Sequence, residues 1–149
     1  MAETKPPAAP QMMNAEEKAK ALAEIRYLKQ IYQSQYLVIT QAANDKLEDM
    51  NNIDNAHRAL EGMDSITDKG ALIPIGASVY IEGNIEKPNN VIISVGGGHF
   101  VEKNIDEAKQ HVSRLMDKTT REVNRLIKNK NEIEAALIDL SYREEELSR

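Results

Sequence analysis

Residues 104–149 read NIDEAKQHVSRLMDKTTREVNRLIKNKNEIEAALIDLSYREEELSR, with neither proline nor glycine. One residue in every seven gives Ile105, Val112, Thr119, Leu126, Ile133, Leu140 and Leu147, an apolar series broken only by Thr119. Such spacing keeps a narrow stripe on one side of a helix, while the positions between are mostly charged or amide, as a two-helix seam requires. Asn104 and Glu107 open the stretch with a capping-box signature, in which each side chain satisfies a free backbone N–H of the first turn.

Working outward, Asn14 and Glu17 repeat that capping signal, and no proline or glycine follows until Gly62. The seven-residue series here is Lys18, Ile25, Tyr32, Ile39, Lys46, Ile53 and Leu60, flanked by Leu22, Lys29, Tyr36, Ala43, Met50 and His57. At the rise of an α-helix each stretch would span roughly 65–75 Å, too long for an ordinary domain and suited to a coiled coil. Residues 62–103 hold all 7 glycines, two of the 5 prolines and many β-branched residues. Residues 1–13 hold the other prolines and read as a disordered tail. The expected fold is α+β and mainly α: a long antiparallel two-helix coiled coil with one or two β-hairpins inserted. The divisions are a helix at 14–62, a β insert at 63–103 and a helix at 104–149, together one domain.

A compact insert brings the two helices back side by side, so they should run antiparallel. One register then pairs Leu60 with Ile105, Ile53 with Val112, Ile39 with Leu126, Tyr32 with Ile133, and Ile25 with Leu140. It also sets Lys46 against Thr119, whereas a one-heptad slide puts each of them against an apolar residue. Burying a lysine among apolar neighbours is costly unless its stem carries the ammonium out to water.

Within the insert, Val79, Ile81 and Ile85 alternate with polar residues, Lys87-Pro88-Asn89-Asn90 reads as a turn, and Val91, Ile93 and Val95 return beyond it. Leu72, Ile73 and Ile75 on one side and Phe100 and Val101 on the other mark outer strands, giving one hairpin or two. Isolated hairpins are marginally stable and their edges invite pairing. These eleven apolar residues are therefore the expected interface of an oligomer.

The composition narrows the function. The chain has 149 residues, a net charge of −5, one Phe, no Trp and no Cys. There is no disulfide framework, thiol nucleophile or cysteine-ligated zinc. The acidic balance argues against nucleic acid, and no apolar run approaches a membrane span. MAETKPPAAP lacks the order of a secretory signal, so a cytoplasmic, soluble protein is expected. Gly96-Gly97-Gly98 precedes a strand rather than a helix and reads as a turn or bulge, not a phosphate cradle. His57, His99 and His111 lack metal-ligand spacing, and Glu144-Glu145-Glu146 reads as a solubilising run. Nothing resembles a nucleophile elbow, and no cofactor or catalysis is expected. At the open end of the helix pair, Leu22, Ile25, Leu28, Leu137, Leu140 and Leu147 either close the seam or, on partial splaying, offer an apolar strip to an extended chain.

The whole arrangement resembles the alpha subunit of prefoldin, of the archaeal type, over about residues 15–149. Leu72-Ile73-Pro74-Ile75-Gly76-Ala77 is similar to the family's L-V-P-hydrophobic-G-A segment. Val95-Gly96-Gly97-Gly98-His99-Phe100-Val101-Glu102-Lys103 is similar to its V-G-x-G-hydrophobic-hydrophobic-V-E-K/R segment, with His99 departing from the usual aromatic or aliphatic residue. Ile105-Asp106-Glu107-Ala108 opens the second helix in the family's manner. The chain ends in a charged run; the longer apolar tail of some relatives is absent or lies past Arg149. The resemblance implies a hexamer of two alpha and four beta subunits joined by their hairpins. It further implies capture of unfolded clients at coiled-coil tips without ATP, and transfer to a group II chaperonin. A competing expectation is a structural coiled-coil protein that builds filaments through its hairpins.

Overall fold

The computed structural model describes residues 13–66, 70–86 and 88–149. The expected N-terminal tail and Lys87 of the expected turn lie outside the described residues, apart from Met13 at the tail's end.

Helix α1 spans Ala15–Gly62 and helix α2 spans Ile105–Ser148. Their starts are fixed as the caps require. The Glu17 N–H donates to Asn14 Oδ1 (2.8 Å) while the Asn14 N–H donates to Glu17 Oε2 (3.0 Å). At α2 the Glu107 N–H donates to Asn104 Oδ1 (2.8 Å). A short 3-10 turn, Met63–Ser65, follows α1. Four strands come next: β1 Gly70–Gly76, β2 Val79–Asn84, β3 Asn90–Gly96 and β4 His99–Asn104.

The strands form two separate antiparallel hairpins, β1–β2 and β3–β4. Of the expected one hairpin or two, two are present: β2 and β3 do not pair, and each pairs with its outer neighbour. Ile85 lies past the end of β2 rather than within a strand. The physical reason lies in the turns. Two-residue hairpin loops of the type I′ kind have positive φ at both central residues, which matches strand twist. Gly97 (59°) and Gly98 (75°) supply it in the second hairpin, and Ala77 (49°) and Ser78 (61°) in the first. In each hairpin the register slips by one residue before the turn, between Pro74 and Gly76 and between Ser94 and Gly96.

The two hairpins are one pattern written twice. Gly76, Glu82 and Asn84 recur as Gly96, Glu102 and Asn104; Ile73↔Ile81 and Pro74↔Tyr80 recur as Ile93↔Val101 and Ser94↔Phe100. Similarity rather than identity carries the repeat, and for that reason it escapes a reading aimed at alternation alone. The copies differ at the turn, where Ala77 and Ser78 occupy a left-handed conformation that costs an L-residue roughly 1–2 kcal/mol. Replacing Ala77-Ser78 by Asn-Gly should therefore stabilise the first hairpin by about 1 kcal/mol. Slower amide exchange at Ile73 and Ile81 would register it; unchanged exchange would refute it.

The chain divides into two compact units, one of α1 up to Ala42 with α2 from Leu126, the other of Ala43–Arg125. In the second unit Ile53, Leu60, Ala108 and Val112 form a buried cluster, against which Val91, Ile93, Ile105 and Met116 pack. Ala108 is only 1% exposed, so the helices approach closely there. Thr119 is buried, and Lys46 lines the same groove with its ammonium 2.9 Å from Asp49 and 3.6 Å from Glu122. The lysine stem thus covers the polar layer while its head stays paired and wet. Its hydrogen bond to Asp49, with that carboxylate's charge, raises its pKa above the ordinary lysine value.

Candidate functional site

Two surfaces stand out, one in each unit. In the Ala43–Arg125 unit, β3 seats Val91 and Ile93 on the helices and turns Ile92 outward. Hairpin β1–β2 contributes nothing to that cluster. Leu72 (66% exposed), Ile75 (61%), Val79, Tyr80 and Ile81 are all open, as is Ile73 to a lesser degree. Val95, Phe100 and Val101 add exposed apolar surface on the second hairpin. Among the described residues each hairpin has two strands, so every strand also keeps one edge without a ladder partner there. The expected interface residues are thus mostly exposed, with Val91 and Ile93 instead turned toward their own helices.

In the helical unit the expected end residues mostly line the seam. Leu140 is buried, and Leu22, Ile25, Leu28, Leu137 and Leu147 are half-buried. Fully open apolar side chains lie elsewhere on the same unit: Tyr27, Leu37, Val38, Ile138 and Tyr142, with Leu37 and Val38 at 70% exposure. Beside them an open groove of almost wholly apolar lining runs along Gln35, Val38, Ile39, Ala42, Leu126 and Ile133. The sequence reading followed the seam and so found Ile39, Leu126 and Ile133 but missed Tyr27, Leu37, Val38, Ile138 and Tyr142. The available signal was Tyr36-Leu37-Val38-Ile39, four consecutive apolar residues where a two-helix seam can cover only part of the helix circumference.

Glu144 also departs from expectation. It is no freely solvated member of an acidic run, because it accepts from Arg26 Nε (2.9 Å) and Lys29 Nζ (2.8 Å) of the facing helix. Those bonds, Lys29 first, hold its pKa below the ordinary value. A depressed carboxylate stabilises the folded state above its usual range, and the contribution fades only as pH falls through the lowered value. Glu145 is tied to Arg149 (2.9 Å). Lys130 lies over the Tyr36 ring, 5.5 Å from its centroid. Of the histidines, His57 is half-buried with Nε2 4.0 Å from Glu61. Among the described residues no group of three or more His, Cys, Asp or Glu is placed to hold a metal ion. Nor is any helix among them long and apolar enough to cross a membrane.

Comparison with known proteins decides the family. The family described as prefoldin subunit matches residues 32–148. This chain belongs to the prefoldin family. Prefoldin subunit alpha of Pyrococcus horikoshii is 32% identical over 136 residues, covering 87% of this chain and 84% of that protein. The alpha subunit of Thermofilum pendens is 29% identical over 93 residues, or 57% of this chain and 72% of the relative. That of Methanobrevibacter smithii is 29% identical over 89 residues, 60% of this chain and 59% of the relative. The cryo-EM structure of filamentous PFD from Methanocaldococcus jannaschii superposes with a TM-score of 0.63 at 20% identity, over 76% of this chain and 95% of that one. Two long helices joined through two hairpins are thus a prefoldin fold. Prefoldins are chaperone subunits that assemble with other prefoldin subunits, and this coarse role extends to the present chain.

Proposed function

We propose that this chain is the alpha-type member of a closed prefoldin assembly, two alpha and four beta subunits joined through their hairpins. The assembly holds unfolded clients on its helical arms without ATP and passes them to a group II chaperonin. The observation that carries this reading is the apolar surface left open on the helical unit, the Leu37–Val38 face with its adjoining groove and the Ile138–Tyr142 face. No enclosed pocket selects a shape there, so an extended apolar segment of any sequence can lie along it. Weak contacts on several arms add through effective concentration while each stays releasable. Residues 14–149 act in this reading as a single subunit body.

The test is light scattering of a denatured, aggregating client in the presence of this chain and its beta-type partner. Suppression is expected, and its absence counts against capture. Leu37→Ser with Val38→Ser and Ile138→Ser should raise the concentration needed for half-suppression by roughly tenfold, since three exposed apolar contacts are lost. The mass of the complex should stay unchanged. Leu22→Ser with Leu140→Ser is a less clean probe, because Leu140 is buried and its loss loosens the seam as well.

A second reading, filament formation through the same hairpins, is favoured by the exposed strand edges, and the similar Methanocaldococcus jannaschii protein is filamentous. Native mass separates the two: a closed hexamer with the beta-type partner supports the first, open-ended growth the second.

A further inference from the structure

Lys29 and Glu144 place charge at half-buried positions beside the apolar seam of the helical unit, one heptad from Leu22 and Leu137. Their side chains are 23% and 22% exposed, and Arg26 reaches the same carboxylate from a more open position. Leu22, Ile25, Leu28, Leu137, Leu140 and Leu147 are the apolar residues nearest this end of the unit's seam. A partly desolvated ion pair seldom stabilises more than well-packed apolar residues would. It does distinguish two states. Closed, two donors on one carboxylate fix the alignment of the helices; open, all three charges regain water, so separation costs less than it would across a continuous leucine seam. We propose that Arg26, Lys29 and Glu144 form a reversible clasp, which aligns this end of the helix pair when shut and eases its opening to expose Leu22, Ile25, Leu137 and Leu140. The low pKa of Glu144 keeps the clasp charged at neutral pH, so screening by salt rather than mild acid is what weakens it.

The consequence for client capture rests on the function proposed above, whereas the opening itself does not, and the experiment separates them. Amide exchange is measured on the full chain within its complex with beta-type partner subunits, with residues 108–123 as the internal control. Glu144→Gln, which leaves two cations without their carboxylate, should speed exchange across residues 22–29 and 137–147 by roughly two- to fivefold. The double variant Lys29→Leu with Glu144→Leu should slow it below the parent, because an apolar layer now fills the seam. Raising salt should speed the parent and leave the double variant unmoved. Parent-like exchange in Glu144→Gln, or faster exchange in the double variant, would overturn the clasp. If exchange shifts as stated, client suppression should rise with Glu144→Gln and fall with the double variant. Shifted exchange with unchanged suppression leaves the clasp standing and removes this end of the arm from client capture.

Discussion

Val79→Asp will leave the helices intact and abolish assembly with other prefoldin subunits. Val79 opens β2 on the hairpin that no other described part of the chain covers, and it is more than half exposed. An aspartate there stays hydrated in the lone chain and has no buried neighbour to disturb. Closing a subunit interface over it would strip that water without a partner, a penalty of several kcal/mol per buried ion and so a loss of about a thousandfold or more in association. Native mass spectrometry with the beta-type partner reads the result directly. Persistence of the full complex would show that the first hairpin is not the joint. Ile92→Asp, on the outward face of the hairpin already seated on the helices, reports whether the second copy is equally engaged.

The second large effect is in stability. Leu60→Ala removes a side chain from the cluster of Ile53, Leu60, Ala108 and Val112, which also receives Val91 and Ile93 from β3. Truncation of a buried leucine costs about 2–5 kcal/mol, and so small a cluster has few neighbours able to collapse into the gap. The second hairpin loses part of its seat at the same time. Thermal melting followed by circular dichroism should fall by roughly 10 °C, taking about 2–4 °C per kcal/mol for a chain of this size. Leu37→Ala, at an exposed position on the same helix, should move it by no more than a degree or two. A parent-like melt for Leu60→Ala would mean that this cluster does not govern the unit's stability.

The contrast between Leu60 and Leu37 also marks how far sequence alone reaches. A seven-residue period identifies which side of a helix is buried, and the stripe it marks holds Ile53, Leu60, Val112, Thr119 and Leu140, all buried. The caps at Asn14 and Asn104 were legible for an equally local reason, since each needs only two side chains three residues apart. Strand pairing is different. Alternation says that a segment is extended but not which segment lies beside it, so one hairpin and two both stayed open, and the residue types of Ala77-Ser78 give little hint of positive φ. Glu144 was misread because its partners, Arg26 and Lys29, lie at the far end of the sequence. The exposed Tyr27 and Tyr142 carried no periodic signal, because the period reports what a helix hides and not what it displays.

In the assembly proposed above, the doubled hairpin sets this chain's valence. One copy turns its β3 side chains toward the chain's own helices and so fastens the insert to the rods; the other has no such anchorage and offers both faces outward. Under the assembly proposed above, this uncovered hairpin is a second point of attachment beside the edges that the seated hairpin keeps open.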